Sequence, residues 1–229
     1  MEHVSRFAKY QLTRFYAPVL SFYVTVVAIA IATSVAGASG EINGGSALVI
    51  FIVGLNCFKT SYLFSQANNL SRRSFYFATL LAILILAVAI SLVDLVVYGV
   101  LRPMIEYQTL PFANVYQMTG FTRLFWAAAV LTLCASVGWM ITMLYYRANP
   151  IVKVLISLSP FAVASAFRYF NILTAGRLAT TLSRFAVNAL GLAGGMPNPH
   201  TAMLSFSLAS VVILALNYLL MYKTPVKSQ

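Results

Sequence analysis

The sequence predicts an all-α, polytopic membrane protein that forms a single transmembrane domain over residues 1–229. Composition is the first observation that predicts this class, because 61% of the residues are hydrophobic, 8% are charged, and the mean hydropathy is +0.86. So few polar residues cannot cover the surface of a soluble globule. Distribution is the second observation, because the apolar residues fall in long blocks rather than in amphipathic stripes. Blocks of about 20 residues cross ~30 Å of hydrocarbon as helices.

Six blocks of this length predict six transmembrane helices. They lie at residues 17–38, 46–64, 75–101, 124–146, 152–170 and 202–222. Six spans would place most basic residues on one side, namely Arg6, Lys9, Arg14, Arg72, Arg73, Arg147, Lys153, Lys223 and Lys227. The opposite side would hold Arg102, Arg123, Arg168, Arg177 and Arg184. Because Lys and Arg are enriched in cytoplasmic loops, both termini are predicted to be cytoplasmic, and the net charge of +11 is topogenic rather than a nucleic-acid-binding surface.

An interfacial helix is predicted ahead of the first span, at residues 2–15. Its apolar side chains share one helical face: Val4, Phe7, Ala8, Leu12 and Phe15. Arg6 and Lys9 lie elsewhere, as in helices that lie in the plane of a membrane surface. Small residues recur at every fourth position of the first span and predict a face for close helix packing: Ala28, Ala32 and Ala36.

A short polar link at residues 65–74 separates the second and third spans. Ser71 is predicted to be the N-cap of the third span. Arg72 and Arg73 then lie in its first turn and oppose the helix dipole, so another interaction must favour them. Two interpretations follow. Either the arginines anchor the chain by the positive-inside rule, or residues 68–73 form a docking surface for a soluble partner.

Three residues within the spans have particular consequences: Lys59, Asp94 and Pro160. Lys59, near the end of the second span, is expected to extend to the headgroups. Asp94 in the third span is either a functional residue, as intramembrane acids often are, or a group near the outer interface that is merely hydrated or paired with Arg102. Pro160 is expected to kink or break the fifth span. Residues 177–193 are too polar to span but have helical periodicity, which predicts an external interfacial or re-entrant helix before the last span.

Residues that carry enzyme chemistry are few in this sequence. The acids and histidines are scattered: Glu2, His3, Glu41, Asp94, Glu106 and His200. They offer no metal triad, carboxylate pair or Ser/His arrangement at membrane depth, so we expect neither an enzyme nor a metal site. The sequence has no G-x-x-x-x-G-K-[ST] phosphate loop, so the chain is not expected to use ATP by itself. Cys57 and Cys134 lie inside apolar blocks and are interpreted as packing residues.

The order of these parts resembles the type-2 permeases of ATP-binding-cassette exporters. The parts are a basic amphipathic N-terminal helix, a short polar link, a broken fifth span and an outer helix before the sixth span. The most specific stretch is N-L-S-R-R-S-F at residues 69–75, which is similar to the sequence around the cytoplasmic coupling helix of those permeases. Small stand-alone permeases of this kind resemble those of bacterial exporters of antimicrobial or cytolytic peptides, including the phenol-soluble modulin exporters.

The resemblance implies how such a chain would work in a bacterial plasma membrane. The chain itself would hold no cofactor, and a separate ATP-binding-cassette ATPase subunit would hold ATP and Mg²⁺. The residues implied to dock on that ATPase are Gln66, Asn68, Asn69, Leu70, Ser71, Arg72 and Arg73. A second permease subunit, identical or different, would complete the pathway. Because spans two and five flank the cavity in that family, the implied pathway residues are Phe51, Leu55, Phe58, Ser157 and Phe161, together with Asp94.

The expected pathway surface is apolar and aromatic, which suits hydrophobic or amphipathic substrates such as peptides. Two alternatives stay open. A secondary transporter or channel would need polar groups near the midplane, where the sequence offers few, namely Asn56 and Asn217 with scattered Ser and Thr. A regulatory membrane subunit would have no pathway of its own. Co-purification with an ATPase would best distinguish these three functions.

Overall fold

A computed structural model describes residues 2–36, 42–43, 45–101, 107–108, 110, 113–116, 118–222 and 224. Its helices are α1 (Glu2–Val35), α2 (Ser46–Asn56), α3 (Lys59–Ala67), α4 (Arg72–Leu101), α5 (Gly120–Arg147), α6 (Pro150–Leu173), α7 (Arg177–Ala189) and α8 (Pro199–Tyr222). Six segments are long and apolar enough to cross a membrane: Val4–Val35, Ser46–Ala67, Arg72–Val100, Gly120–Arg147, Pro150–Leu173 and Pro199–Tyr222. The predicted fold class is therefore confirmed, and the chain is a multi-pass helical membrane protein.

Short extended segments connect the helices at one end of the bundle. Strand β1 (Ile42–Asn43) pairs in parallel with β2 (Tyr107–Gln108), which joins the segment after α1 to the segment after α4. A 3₁₀ turn at Ala113–Tyr116 follows. The hydroxyl group of Tyr116 donates a 2.7 Å hydrogen bond to the carbonyl oxygen of Leu190, and burial raises the pKa of this tyrosine. This end of the bundle is thereby linked to the end of α7.

The first helix is continuous, whereas the sequence predicted a separate interfacial helix before the first span. Pro18 lies inside α1 and does not end it. The amphipathic face of residues 2–15 packs against α4, where Phe7 is buried and Gln11 Nε2 donates a 3.0 Å hydrogen bond to Thr79 Oγ1. The apolar periodicity of this segment therefore corresponds to a core face, which periodicity alone does not distinguish from a membrane-surface face.

The closest helix contact is between α2 and α5 rather than on α1. The small residues that predicted a packing face on α1 are exposed, namely Ala28, Ala32 and Ala36. A Cβ atom added to Gly54 of α2 would lie 2.2 Å from the carbonyl oxygen of Ala135. A Cβ atom added to Gly138 of α5 would lie 2.4 Å from the carbonyl oxygen of Phe51. We call this pair of sites the glycine contact, and it requires glycine on both helices.

The centre of the bundle is α5, which contacts α2, α4 and α8. Its buried side chains include Leu131, Trp139 and Met143. Asn217 of α8 donates from Nδ2 to the carbonyl oxygen of Ser136 at 3.0 Å, which holds α8 to α5 by a buried hydrogen bond. The core therefore forms around one helix that several others surround.

The fifth span is not part of this core. Of the kink or break expected at Pro160, the break does not occur, because this proline lies inside the continuous helix α6. No residue of α6 is buried along its whole described length, and its main contacts are with α7. The amphipathic helix α7, in the region predicted to be an outer helix, is equally exposed and leads through Gly191 into α8. Together, α6 and α7 form an arm beside the bundle.

Candidate functional site

Residues 66–73, which we call the polar turn, connect α3 to α4. Asn69 has a left-handed φ of 53°, a conformation that asparagine adopts more readily than most residues. The backbone N–H of Asn69 donates to the carbonyl oxygen of Gln66 at 3.0 Å, and that of Leu70 donates to Ser65 at 2.9 Å. The turn thus ends α3 in the manner of a helix C-cap, and its shape is set by the backbone.

Side chains of the polar turn reinforce this shape. The Ser71 hydroxyl accepts a 3.1 Å hydrogen bond from the backbone N–H of Ser74, so the prediction that Ser71 is the N-cap of α4 is confirmed. Gln66 Nε2 donates to the carbonyl oxygen of Leu70 at 3.2 Å across the turn. The contact between Gln66 and Leu70 holds the end of α3, and the contact between Ser71 and Ser74 holds the start of α4.

The two arginines of the polar turn have different environments. Arg72 Nη1 donates a 2.8 Å hydrogen bond to the carbonyl oxygen of Tyr222, at the C-terminal end of α8. The partial negative charge of that helix end stabilises the cation and offsets its unfavourable position at the start of α4. Arg73 is exposed, as are Asn68 and Asn69. The predicted coupling residues therefore lie in one turn, and these three residues are among its exposed side chains.

The second span is broken at Cys57 and Phe58, where the sequence predicted a continuous helix. The carbonyl oxygen of Gly54 accepts hydrogen bonds from the Cys57 N–H at 3.4 Å and from Cys57 Sγ at 3.0 Å. The carbonyl oxygen of Leu55 accepts a 2.6 Å hydrogen bond from Thr142 Oγ1 of α5. These donors satisfy carbonyl groups that the end of α2 leaves without intrahelical partners, as a membrane interior requires. We call residues 57–58 the joint.

An aromatic cluster surrounds the joint and consists of Phe58, Tyr62, Phe75 and Tyr146. The ring centroid of Phe58 lies 5.0 Å from that of Tyr62, 5.4 Å from that of Tyr146 and 6.0 Å from that of Phe75. Phe58 is 0% exposed. The ring of Phe58, one of the implied pathway residues, is therefore enclosed by side chains of α3, α4 and α5 within a single copy of this chain.

The other implied pathway residues fall into two separate groups. Phe51 and Leu55 are half-buried beside Gly138 at the glycine contact. Ser157 and Phe161 lie on α6, where Phe161 is 73% exposed and the Ser157 hydroxyl is hydrogen-bonded to the Tyr145 hydroxyl. Within the described residues α2 packs on α5, whereas α6 has no buried residue. A single copy of the chain does not bring the two groups into one cavity.

Asp94 joins three helices through its carboxylate. It is 2% exposed, so the sequence interpretation of a hydrated carboxylate does not hold. Its Oδ1 atom accepts hydrogen bonds from the Tyr23 hydroxyl at 2.6 Å and from the Ser46 hydroxyl at 2.8 Å. Its Oδ2 atom is buried and has no hydrogen-bond partner among the described residues. The carboxylate therefore ties α1 and α2 to α4.

A buried cation accompanies Asp94. Arg123 of α5 places its guanidinium carbon 3.4 Å from the ring centroid of Tyr98, which is a close cation–π contact. Its positive charge also acts on Asp94. Arg102, the partner considered from the sequence, lies outside the described residues. The charges of this region are thus distributed over α4 and α5, which places Asp94 in the packing of the bundle.

Side chains that commonly bind metal ions are few in the described part of the chain. Among them, no group of three or more His, Cys, Asp or Glu side chains could hold a metal ion. The polar features are the accessible polar turn, the joint and the buried Asp94. No family model, curated protein or solved structure matches this chain.

Proposed function

We propose that this chain is the membrane-spanning subunit of an ATP-driven exporter and docks on a separate ATPase subunit through the polar turn. In this proposal the polar turn and both termini face the cytoplasm of a bacterial cell, and ATP and Mg²⁺ bind to the partner. The observation that carries the proposal is the fixed shape of the polar turn together with its exposure. A segment that only sets topology needs basic residues but no fixed shape.

The accessible side chains of the polar turn suit a particular kind of partner surface. Asn68 and Asn69 offer amide groups, and Arg73 offers a guanidinium with up to five N–H donors. A groove lined by carboxylates and backbone carbonyl groups would match these donors. Because the turn is ordered before docking, binding would avoid part of the entropy cost of fixing a flexible loop.

Movement of the polar turn would reach the bundle through the aromatic cluster. Phe58 and Tyr62 at the start of α3 pack against Phe75 of α4 and Tyr146 of α5. The joint, which includes Phe58, lies between α3 and α2, and the glycine contact holds α2 against α5. An ATPase that displaces the polar turn would therefore act on α3 and the start of α4 together, while α2 stays packed.

A second permease subunit, identical or different, would complete the pathway beside α6. The exposure of α6 supports this proposal, because none of its residues is buried and most of its surface is available to lipid, substrate or another subunit. Its large exposed side chains include Ile151, Phe161 and Phe170. Such a surface recognises hydrophobic or amphipathic substrates, such as peptides, by contact area rather than by ion pairs.

A secondary transporter is the second candidate, and Asp94 is the observation that favours it. Its Oδ2 atom is buried without a hydrogen-bond partner in the described part of the chain, and intramembrane acids commonly belong to ion pathways. The two candidates differ in one requirement. An ATP-driven exporter must associate with an ATPase, and a secondary transporter needs none.

Affinity purification from native membranes in a mild detergent tests the proposed function. The tagged wild-type chain should retain a subunit with vanadate-sensitive ATP hydrolysis. Arg73→Glu should lower its recovery about tenfold, because it reverses a charge at the docking surface. Arg184→Glu is the matched control, because it reverses an equally exposed charge on α7 and should leave recovery unchanged.

Two outcomes would contradict the proposed function. One is the absence of ATP hydrolysis from material purified with the wild-type chain. The other is equal recovery of the ATPase by wild-type and Arg73→Glu chains that are inserted in equal amounts.

A further inference from the structure

A groove runs along the bundle surface between α4 and α8, with α5 as its floor. Two cavities of about 400 and 570 Å³ form it, and they share Leu80, Val211 and Leu214. From Tyr76 to Val88 the groove covers about 18 Å of α4, at 1.5 Å per residue. One leaflet contributes about 15 Å of a hydrocarbon core of ~30 Å. The α4–α8 groove is therefore about as long as one leaflet is deep.

The lining of the α4–α8 groove is apolar. Its main side chains are Leu80, Leu84, Val88, Phe125, Val211 and Leu214. The buried hydroxyl groups of Thr132 and Ser210 are engaged within their own helices: Thr132 Oγ1 donates to the Ala128 carbonyl oxygen at 2.7 Å, and Ser210 Oγ donates to that of Phe206 at 2.8 Å. A polar ligand would find few hydrogen-bond partners in this groove, whereas a hydrocarbon chain needs none.

The width of the α4–α8 groove excludes a transmembrane helix from its narrow end. The Tyr76 hydroxyl of α4 donates a 2.9 Å hydrogen bond to the Leu214 carbonyl oxygen of α8, so a single side chain bridges the two helices. A helix with its side chains is about 10–12 Å in diameter and does not fit between backbones this close. A single acyl chain is narrow enough to fit there.

Two arginines lie at the same end of the groove. Arg72 and Tyr222 are each one turn beyond Tyr76 and Tyr218, which line its last part. Arg72 Nη1 contacts the Tyr222 carbonyl oxygen at 2.8 Å, and Arg147 Nη1 contacts the Leu220 carbonyl oxygen at 3.2 Å.

The charge at this end is therefore positive. Two guanidinium groups face the end of α8, which carries only about half a negative charge. Each guanidinium has five N–H donors, and each carbonyl contact uses one of them. Arg72 is also hydrogen-bonded to the Tyr62 side chain. The donors that remain suit the oxygens of a phosphate group, because guanidinium–phosphate pairs form charge-assisted hydrogen bonds.

We propose that the α4–α8 groove binds an anionic phospholipid of the surrounding membrane. One acyl chain lies in the groove between Tyr76 and Val88, and the phosphate group lies at Arg72 and Arg147. Basic pockets between transmembrane helices bind anionic headgroups in this way. This inference does not depend on the proposed function, since any membrane protein with this groove would bind such a lipid.

Native mass spectrometry of the purified chain tests the proposal. The chain is mixed in non-ionic detergent with equal amounts of dioleoyl phosphatidylglycerol and dioleoyl phosphatidylcholine, which share their acyl chains. Retained phosphatidylglycerol should exceed phosphatidylcholine by about thirtyfold, because each cation near an anionic headgroup contributes roughly a factor of five. A large excess of inorganic phosphate should not displace it, since the acyl chain contributes to binding.

Three variants separate the parts of the site. Arg147→Gln should lower the preference for phosphatidylglycerol by about fivefold, because one cation is removed. Leu84→Trp, at the exposed rim of the groove, should lower retention of both lipids because the indole ring occupies the space of the acyl chain. Arg184→Gln on exposed α7 should change neither the preference for phosphatidylglycerol nor the retention of the two lipids. Circular dichroism confirms that each variant is folded.

Several results would overturn the proposal. Equal retention of the two lipids would exclude headgroup recognition, and full retention by Leu84→Trp would place the lipid elsewhere. Displacement by inorganic phosphate would mean that the arginines bind a free anion. Efficient cross-linking between two copies of Ser207→Cys would mean that a second copy of the chain covers the groove.

Discussion

Helices α5 and α6 follow each other in the chain and are both predominantly apolar, yet their burial differs completely. Eleven residues of α5 are buried, and none of α6. The close contacts of α5 use small residues, since Ala135 and Gly138 allow the backbone of α2 to approach. Helix α6 also has small residues, but Ala162, Ala164 and Ala166 are all exposed. Small residues permit close packing, and a complementary surface is needed before it occurs.

The difference shows what selects a core helix in a membrane protein. Lipid chains are as apolar as leucine, so hydropathy draws a segment into the membrane without drawing helices together. Shape complementarity and hydrogen bonds then hold particular helices in contact. Matched substitutions around α5 and on α6 should therefore have very different effects on stability.

The largest difference is expected between two phenylalanines. Phe58→Ala should lower the free energy of unfolding by about 3–5 kcal/mol, because it leaves a cavity in the aromatic cluster. Phe161→Ala removes the same atoms from an exposed site on α6 and should change the free energy of unfolding by less than about 0.5 kcal/mol. Reversible unfolding of each variant in detergent micelles measures both values. Similar losses for the two variants would mean that α6 is packed against another part of the protein.

The next largest difference is expected between two helical glycines, because replacing one by alanine should lower the free energy of unfolding and replacing the other should raise it. Gly138→Ala should destabilise the chain by about 3 kcal/mol, because the new methyl group would overlap the Phe51 carbonyl oxygen and push α2 away from α5. Gly99→Ala meets no atom within 4 Å and should stabilise α4 by about 0.5–1 kcal/mol. The same unfolding measurement applies. A neutral Gly138→Ala would disprove the close approach of α2 and α5.

The smallest effect concerns the hydrogen bond at the joint. Thr142→Val keeps the shape of the side chain and removes the donor to the Leu55 carbonyl oxygen, which should cost about 1 kcal/mol. Thr174→Val is the control, because the Thr174 hydroxyl bonds only to exposed backbone near it: it donates to the carbonyl oxygens of Phe170 and Asn171 and accepts from the N–H of Leu178. Hydrogen exchange of backbone amides around Cys57 should also become faster in Thr142→Val alone. Unchanged exchange would show that Thr142 does not stabilise the joint.

Features that depend on neighbouring residues in the sequence were predicted well. The six spans follow from the length of each apolar block, and the Ser71 N-cap follows from a serine immediately before a helical run. The position of the polar turn follows from the same local pattern. These features are local because a helix and its cap involve residues within a few positions of each other.

Features that depend on distant residues were not predictable from the sequence. Pro160 is the stronger local signal for a break, yet the break lies at Cys57 and Phe58, where a hydroxyl from α5 satisfies the free carbonyl group. The partners of Asp94 are Tyr23 and Ser46, which are 71 and 48 positions away. No local pattern specifies such pairs, because they arise only when the helices pack.

The joint also has a mechanical consequence. With its nine residues, α3 is about 13 Å long and carries the polar turn at the end away from the joint, so that a rotation at the joint would move the turn. A rotation of about 10° at the joint would move the turn by about 2 Å, which follows from the same helical rise. Conversely, a small displacement of the polar turn would rotate α3 about the joint. At the joint, the Thr142 hydroxyl of α5 holds the end of α2. The length of α3 therefore sets how large a rotation at the joint would accompany a given displacement of the polar turn.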